Sequence, residues 1–302
     1  MLSDMHSKPL YIGKVSVYGR IVMPPMATSL ATEDGRVTDK LIDFYDARAK
    51  NANISLIITE HCYISEQGKA KPLQLSISSD EDVAGLKKLT DIIHLHGKKA
   101  FAQINYAPKT DINDFLPEQI GEIINLFADA AQRARVAGYD GVEVHSAHGY
   151  LLNQFYSPLK NHRKDSYGGN IECRMQIHKK VLQSVRAAVG RDYPISVRLG
   201  GCDYMKGGST IGEASLAAQI LEEAGADMIS VSGGLCRYTR PGHDEPGYFA
   251  EVSKSVKSKV SIPVMLTGGI KTINDVERLL VNNSADLIGV GRALLKNPVW
   301  EI

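Results

Sequence analysis

The stretch GVEVHSAHGYLLNQFYSPLKNHRKDSYGG, residues 141–169, begins as an apolar strand and changes abruptly into a polar segment. The same order, an apolar run followed by a polar break and a helical pattern, occurs eight times along the chain. The runs are rich in β-branched residues and almost continuously apolar, which is typical of parallel strands covered on both faces. They occupy 20–26, 54–60, 99–105, 140–145, 195–200, 227–234, 262–269 and 285–291. Eight strands that alternate with helices predict an α/β fold, a (β/α)8 TIM barrel.

The alternative to a barrel is an open, doubly wound sheet. No Gly-x-Gly-x-x-Gly fingerprint follows the first strand, and this absence favours the barrel. The opening segment LYIGKVSVYGRIVM (10–23) predicts a small hairpin that closes the barrel floor, and RALLKNPVWEI (292–302) leaves the final outer helix short or missing. No linker or repeat divides the chain, so we predict a single domain over residues 1–302.

Composition excludes several classes of function. The chain has 302 residues and a formal net charge of +1, with no basic tail or stripe, so we expect no nucleic-acid partner. No apolar run is long enough to span a membrane, and the N-terminus lacks the apolar core of a signal peptide. The four cysteines are far apart, which predicts neither a metal nor an iron–sulfur site and fits a cytoplasmic protein.

Polar residues at the strand ends are the candidates for an active site, because a TIM barrel builds its site there. Arg198 interrupts the buried run ISVRLG, and a guanidinium in that place needs an anion or several acceptors. Gln103 interrupts AFAQIN in the same way, and each of the two could instead satisfy structural groups. Other polar residues at strand ends include Glu60, His61 and Ser232.

Glycines near the end of the chain suggest a phosphate site. Gly268 and Gly269 follow the seventh strand, and Gly291 and Arg292 follow the eighth. The loops after these two strands are the usual phosphate-binding loops of this fold. Plain tight turns would also explain the glycines.

The sequence resembles the old yellow enzyme family of flavin-dependent ene-reductases over nearly its whole length. The resemblance rests on RIVMPPMAT (20–28), AQIN (102–105), the block 127–169, VRLG (197–200), MLTGG (265–269) and GVGRALLKNP (289–298). It implies a barrel that holds FMN. NAD(P)H would reduce the FMN, and hydride would then pass from flavin N5 to an activated alkene in a ping-pong reaction. Enones, enals, nitroalkenes and enoates are the alkenes expected.

The resemblance also implies roles for individual residues. His145 and His148 would bind the substrate oxygen, Tyr150 would donate the proton, and Tyr106 would contact the substrate. The cofactor-binding residues would be Pro25, Met26, Ala27, Glu60, Gln103, Arg198, Gly234, Gly268, Gly269, Gly291 and Arg292.

The two histidines have other interpretations, and the sequence departs from the family pattern at several points. His-x-x-His could be half of a metal site, but no nearby acid completes one; the pair could also be structural. Ala27 stands where the family usually has a hydroxyl or thiol, and NYAPK (105–109) replaces Asn-His-Ala-Gly-Arg. The segment 110–116 is shorter than the usual loop, which predicts a more open pocket.

Two other functions fit the same residues. The chain could be the barrel module of a longer iron–sulfur flavoprotein of the 2-enoate or 2,4-dienoyl-CoA reductase type. It could also be a flavin-binding protein without turnover, although His145, His148 and Tyr150 argue against this. A homodimer is possible, and a small-molecule alkene is the expected partner.

Overall fold

Eight parallel strands close into a barrel at the centre of the computed structural model, which describes residues 4–300. The strands are β1 (Pro9–Ile12), β2 (Val15–Tyr18), β3 (Ile21–Met23), β4 (Ile54–Tyr63), β5 (Lys99–Asn105), β6 (Gly141–Ser146), β7 (Ile195–Cys202), β8 (Met228–Gly233), β9 (Val264–Thr267) and β10 (Leu287–Gly289). The barrel order is β10-β3-β4-β5-β6-β7-β8-β9, and β10 pairs with β3 at Ile288 and Ile21. The predicted TIM barrel is confirmed, since a doubly wound sheet would not close.

Helices cover the outside of the barrel. They are α1 (Asp39–Ala49), α2 (Val83–Leu95), α3 (Pro117–Val136), α4 (Leu151–Tyr156), α5 (Ile171–Arg174), α6 (Gln176–Val189), α7 (Ile211–Glu223), α8 (Ala250–Lys257), α9 (Ile273–Val281) and α10 (Arg292–Lys296). Thr38 caps α1 by accepting a hydrogen bond from the Leu41 amide at 3.2 Å. The last helix within the described residues, α10, has five residues. No helix within 4–300 is long and apolar enough to cross a membrane.

The hairpin of β1 and β2 closes one end of the barrel. The two strands pair antiparallel, and their side chains Ile12 and Val17 are fully buried. Both pack in one apolar cluster with Leu56, Phe101 and Met228, which lie near the starts of barrel strands. This packing confirms the predicted floor and leaves the opposite end of the barrel for polar groups.

Strand register brings the polar residues together at that opposite end. Gln103 on β5 lies beside Glu143 on β6, and His145 on β6 lies beside Arg198 on β7. Side chains alternate along a strand, so residues 143 and 145 point to the same side of the barrel wall. The sequence order of three strands therefore places an amide, a carboxylate, an imidazole and a guanidinium close together.

Candidate active site

A cavity of about 710 Å³ opens at the carboxyl ends of the barrel strands. Most of the residues predicted for the site line it: Pro25, Met26, Ala27, Gln103, His145, His148, Tyr150, Arg198, Gly268, Gly269, Gly291 and Arg292. Three arginines line the cavity, and no Asp or Glu among the described residues does. The cavity is therefore electropositive, which favours ligands that carry negative charge or develop it.

The structure does not bring three of the predicted residues to the cavity lining. The Glu60 carboxylate is bound by Thr28, whose hydroxyl donates to Oε1 at 2.6 Å. The Gly234 amide donates a hydrogen bond to the Cys202 carbonyl. The ring of Tyr106 packs against Gly68 and not against the cavity. Glu60 supports the loop that carries Met26 and Ala27, and this support was not visible in the sequence.

A buried polar network holds Gln103 and Arg198 behind the cavity. Gln103 Nε2 donates to Glu143 Oε1 at 2.8 Å, and the Ser196 hydroxyl donates to the other carboxylate oxygen at 3.0 Å. Burial raises the pKa of Glu143, while the charge of Arg198 opposes that rise. Arg198 donates only a long 3.4 Å bond to Ser232, and its Nε has no partner within the described chain. Several guanidinium donors thus remain available to a ligand.

His145 presents one N–H to the cavity. Its Nδ1 accepts a hydrogen bond from the Ala147 amide at 3.3 Å, which leaves the proton of a neutral ring on Nε2. Burial lowers the pKa of His145 well below its usual value, and the neighbouring His148 adds to this effect. The ring is therefore a neutral donor at physiological pH.

His148 lies in a tight turn and contacts both His145 and Ser232. Its backbone has φ of 62°, an uncommon conformation for a residue with a side chain. The turn is held by the Gly149 amide, which donates to Asn153 at 2.7 Å. The two imidazole rings lie 5.1 Å apart and almost perpendicular, and His148 Nε2 lies 2.8 Å from Ser232 Oγ. Burial lowers the pKa of His148, so this ring is neutral as well.

Tyr150 packs beside His145, with 4.9 Å between the ring centroids. Burial raises the pKa of the Tyr150 hydroxyl, and the positive charge of Arg237 lowers it in part. The hydroxyl therefore keeps its proton at neutral pH and can donate it to a base that forms in the cavity.

The loops after β9 and β10 form the other end of the cavity. Gly268 has φ of 120°, and a Cβ there would lie 2.7 Å from the Tyr248 ring. The Tyr248 hydroxyl in turn accepts a hydrogen bond from Arg292 at 2.8 Å. Close packing of the ring thus requires glycine, and Arg292 is held where its remaining donors can bind an anion.

Fourteen of the described residues that line the cavity were given no site role from the sequence, and four of these have charged or aromatic side chains: His61, Arg237, Tyr238 and Tyr248. Arg237, Tyr238 and Tyr248 come from the long loop between β8 and α8, and no sequence motif marked them as cavity residues. His61 lies within β4, one residue after Glu60. Its polarity at a strand end was a signal, but the sequence alone did not show which side chain of the pair faces the cavity.

Comparison with known proteins identifies the family. The model of the NADH:flavin oxidoreductase / NADH oxidase family matches residues 7–119 and 113–302. The chain belongs to this family. The old yellow enzyme resemblance is confirmed by the fold of the old yellow enzyme homologue of Zymomonas mobilis, which is 26% identical. That structure has a TM-score of 0.85 and covers 97% of this chain and 90% of its own.

Sequence relatives within this flavin oxidoreductase family differ in length. The NADH oxidase of Thermoanaerobacter brockii is 37% identical over 96% of this chain, which spans only 49% of that relative. The NADPH dehydrogenase of Halalkalibacterium halodurans is 33% identical, with coverage of 95% of this chain and 89% of the relative. The chain therefore spans about half the length of the first relative and most of the second.

The cofactor of this flavin oxidoreductase family is FMN, and the cavity has groups that fit it. The Gln103 amide keeps its Oε1 and one N–H free after donating to Glu143, which suits the alternating donors and acceptors of a pyrimidine edge. The unpartnered Nε of Arg198 lies behind the same cavity and suits an electron-rich ring oxygen. Arg292 and the glycine turns at the other end suit a single phosphate.

Proposed function

We propose that the chain is an FMN-dependent oxidoreductase that uses NAD(P)H to reduce the C=C bond of activated alkenes. The observation that carries the proposal is that three proton-bearing groups, on His145, His148 and Tyr150, line the same cavity as Arg198 and the glycine turns. One end of the cavity is thus suited to a flavin and the other to a polarised small molecule. Enones, enals, nitroalkenes and enoates have the oxygen atoms that such donors recognise.

In this proposal, FMN is held by backbone groups at Pro25 to Ala27, by Gln103 and Arg198, and by Arg292 with Gly268, Gly269 and Gly291. When bound, FMN supplies reversible hydride transfer between the nicotinamide and the alkene. Arg198 lies where fixed positive charge stabilises an electron-rich ring, which favours the reduced cofactor. The role of Ala27 is packing alone, since it has no polar side-chain atom.

The imidazoles of His145 and His148 act on the substrate oxygen. Their N–H groups withdraw electron density from the conjugated double bond, so the β-carbon accepts hydride more readily. Because burial keeps both rings neutral, they donate hydrogen bonds without placing a full charge in the cavity. Preorganised donors of this kind stabilise the enolate-like charge that develops during reduction.

Tyr150 supplies the proton in this proposal. The O–H bond breaks as a C–H bond forms at the α-carbon, and solvent returns a proton to the phenolate. The ring centroids of Tyr150 and of His145, which binds the oxygen in this proposal, lie 4.9 Å apart. This spacing suits two groups that act on neighbouring atoms of one conjugated system.

Two half-reactions test the proposal. The purified protein should be yellow and release FMN on denaturation, NADH or NADPH should bleach it without oxygen, and 2-cyclohexenone should restore the colour. Tyr150→Phe should slow reoxidation by the alkene by about a hundredfold or more while flavin reduction keeps its rate. Equal rates in both half-reactions would remove Tyr150 from the role. Bleaching without reoxidation by any alkene would favour a flavin-binding protein without turnover.

A second candidate is the barrel module of a longer iron–sulfur flavoprotein. It is favoured by the T. brockii relative, of which this chain spans 49%. Iron and acid-labile sulfide analysis of the full-length gene product separates the two candidates.

We further propose that residues 1–302 form one domain and that the protein acts in the cytoplasm, where its nicotinamide reductant is found. Sedimentation would decide whether it is a homodimer.

A further inference from the structure

Several polar side chains of the cavity have no part in the function proposed above, and His61 is one of them. His61 lies on β4, lines the cavity and is 8% exposed. Burying an imidazole costs free energy unless both ring nitrogens are satisfied by the protein or by a ligand. The partners of the two nitrogens therefore decide what His61 can do.

Gln74 fixes the proton of His61. Gln74 Oε1 accepts from the Ala70 amide at 2.7 Å, so its Nε2 is the donor that faces His61. Nε2 of Gln74 lies 3.1 Å from the His61 carbonyl and 2.8 Å from His61 Nδ1. Since the amide nitrogen can only donate, His61 Nδ1 must accept. Burial, with the charges of Lys71 and Arg198, lowers the pKa of His61 to about 4, so the neutral ring carries its single proton on Nε2.

The hydrogen bonds of His61 within residues 4–300 involve Nδ1 and the backbone carbonyl, and none involves Nε2–H. The ring lines the cavity while its Nδ1 contacts Gln74, so a ligand or water in the cavity is the partner that remains. This is the same arrangement as at His145, where a backbone amide occupies Nδ1 and leaves Nε2–H for the cavity.

His61, His145 and Tyr150 form a triangle of rings. The centroids of His61 and Tyr150 lie 5.3 Å apart, those of His61 and His145 lie 6.1 Å apart, and those of His145 and Tyr150 lie 4.9 Å apart. The proposed function uses His145 for one substrate oxygen and Tyr150 for the proton. His61 is the third corner of the triangle. A substrate with one oxygen, bound at His145, has no second acceptor for the Nε2–H of His61.

We infer that His61 is a substrate-binding residue that donates a hydrogen bond to a second oxygen of the substrate. The inference rests on the proposed function and narrows its substrate class to activated alkenes with two oxygen acceptors, such as cyclic enediones and quinones. A single-carbonyl alkene leaves Nε2–H of His61 to water or unpaired, which weakens its binding.

The test compares two ligands that differ by one carbonyl and cannot be reduced at a C=C bond. Cyclohexanone and cyclohexane-1,4-dione are titrated into the FMN-loaded protein, with binding followed by flavin absorbance and by calorimetry. The wild type should bind the dione about fivefold to tenfold more tightly, the effect of one added hydrogen bond. His61→Phe keeps a flat ring without the donor and should bind the two ligands equally. His61→Gln restores a donor near Nε2 and should recover part of the preference.

Each outcome decides the inference. Equal affinities in the wild type, or a preference that persists in His61→Phe, would overturn it. A shift of the flavin midpoint potential in His61→Phe with an unchanged ligand preference would assign His61 to the cofactor and also overturn it. If His61→Phe does not fold, the wild-type preference and the His61→Gln variant decide. Histidine ¹⁵N resonances give an independent readout, since they must show Nε2 protonated and Nδ1 not.

The proposed function can fail separately. A wild type that prefers the dione but reduces no alkene would contradict the reductase proposal while supporting the binding role of His61. Conversely, normal reduction of 2-cyclohexenone with no preference for the dione would support the reductase and reject His61 as the second donor.

Discussion

Gln103 donates a hydrogen bond to Glu143 at 2.8 Å; both side chains are buried, and Gln103 also lines the cavity. The bond fixes which atom of the Gln103 amide is nitrogen, because a carboxylate only accepts. It also places a negative charge near Arg198, whose charge lowers the pKa of Glu143 against the effect of burial. Glu143 thereby sets both the orientation of an amide and the net charge in the part of the cavity that we propose for the flavin.

Glu143→Gln should therefore change the flavin as well as its binding. Removing the negative charge leaves Arg198 uncompensated, so the midpoint potential should become more positive. The amide of Gln103 loses its fixed orientation, so FMN should bind about tenfold more weakly. Redox titration and fluorescence titration measure the two effects. Glu277→Gln, on α9, is the control, and an equal shift of potential there would contradict the assignment.

Gly268→Ala should weaken FMN binding through a steric clash. A Cβ at Gly268 would lie 2.7 Å from the Tyr248 ring, so the ring or the turn must move away from Arg292. We expect a loss of about 1–3 kcal/mol in the free energy of unfolding and at least tenfold in FMN affinity. Gly190→Ala is the matched control, because Gly190 has φ of 81° but no atom within 4 Å of the place where a Cβ would lie. It should lose stability alone; a loss of FMN affinity there would contradict the clash.

Acid should destabilise the protein through its buried histidines. The pKa of His61 falls to about 4 and that of His178 to about 3 by burial, against an ordinary value of 6.5. Between pH 6.5 and the lowered pKa of each histidine, the unfolded chain binds more protons than the folded one. The free energy of unfolding therefore falls as the pH falls from 6.5. His61 alone accounts for on the order of 3 kcal/mol by pH 4.

His61→Phe should therefore flatten the dependence of stability on pH between 6.5 and 4. Urea unfolding at a series of pH values measures the slope for the wild type and the variant. His162→Gln, at an exposed histidine, should keep the wild-type slope. Identical slopes for His61→Phe and the wild type would show that His61 is not buried as a neutral ring.

Arg237→Gln should shift the alkaline limb of the pH–rate profile for alkene reduction to higher pH. Arg237 lowers the pKa of Tyr150 by its charge, so its removal should raise that pKa and keep the proton donor active to higher pH. The rate at pH 7 through Tyr150 should change little, because the hydroxyl is protonated in both proteins. Rate–pH profiles of the reoxidation half-reaction measure the shift. Arg191→Gln, exposed before β7, is the control; a shift toward lower pH in Arg237→Gln would refute the prediction.

The sequence predicted the barrel well because each strand is an apolar run with its own boundary signals. The run 99–105 coincides with β5. The predicted run 20–26 was longer than β3, which ends at Met23, because the prolines at 24 and 25 cannot donate to a ladder. Strand patterns carry this information locally, so no tertiary contact is needed to read them.

The sequence predicted the site less well where a contact depends on the orientation of a side chain or on the path of a long loop. Glu60 and His61 are adjacent on β4, and one binds Thr28 while the other lines the cavity. Tyr248 lies in the loop just before α8, and only the folded loop brings it to Arg292. The tautomer of His61 depends on Gln74, thirteen residues away, through an amide whose orientation depends on Ala70.

The Tyr248 hydroxyl accepts from Arg292 and donates to the Tyr238 carbonyl at 2.5 Å. One short chain of hydrogen bonds thus runs from Arg292, at the end of the cavity that we propose for the phosphate, to Tyr238 in the loop between β8 and α8. A ligand that orders either end lowers the entropic cost of ordering the other. Occupancy at the two ends should therefore be positively cooperative, and by reciprocity a bound small molecule at the mouth should raise the affinity for the cofactor by the same factor.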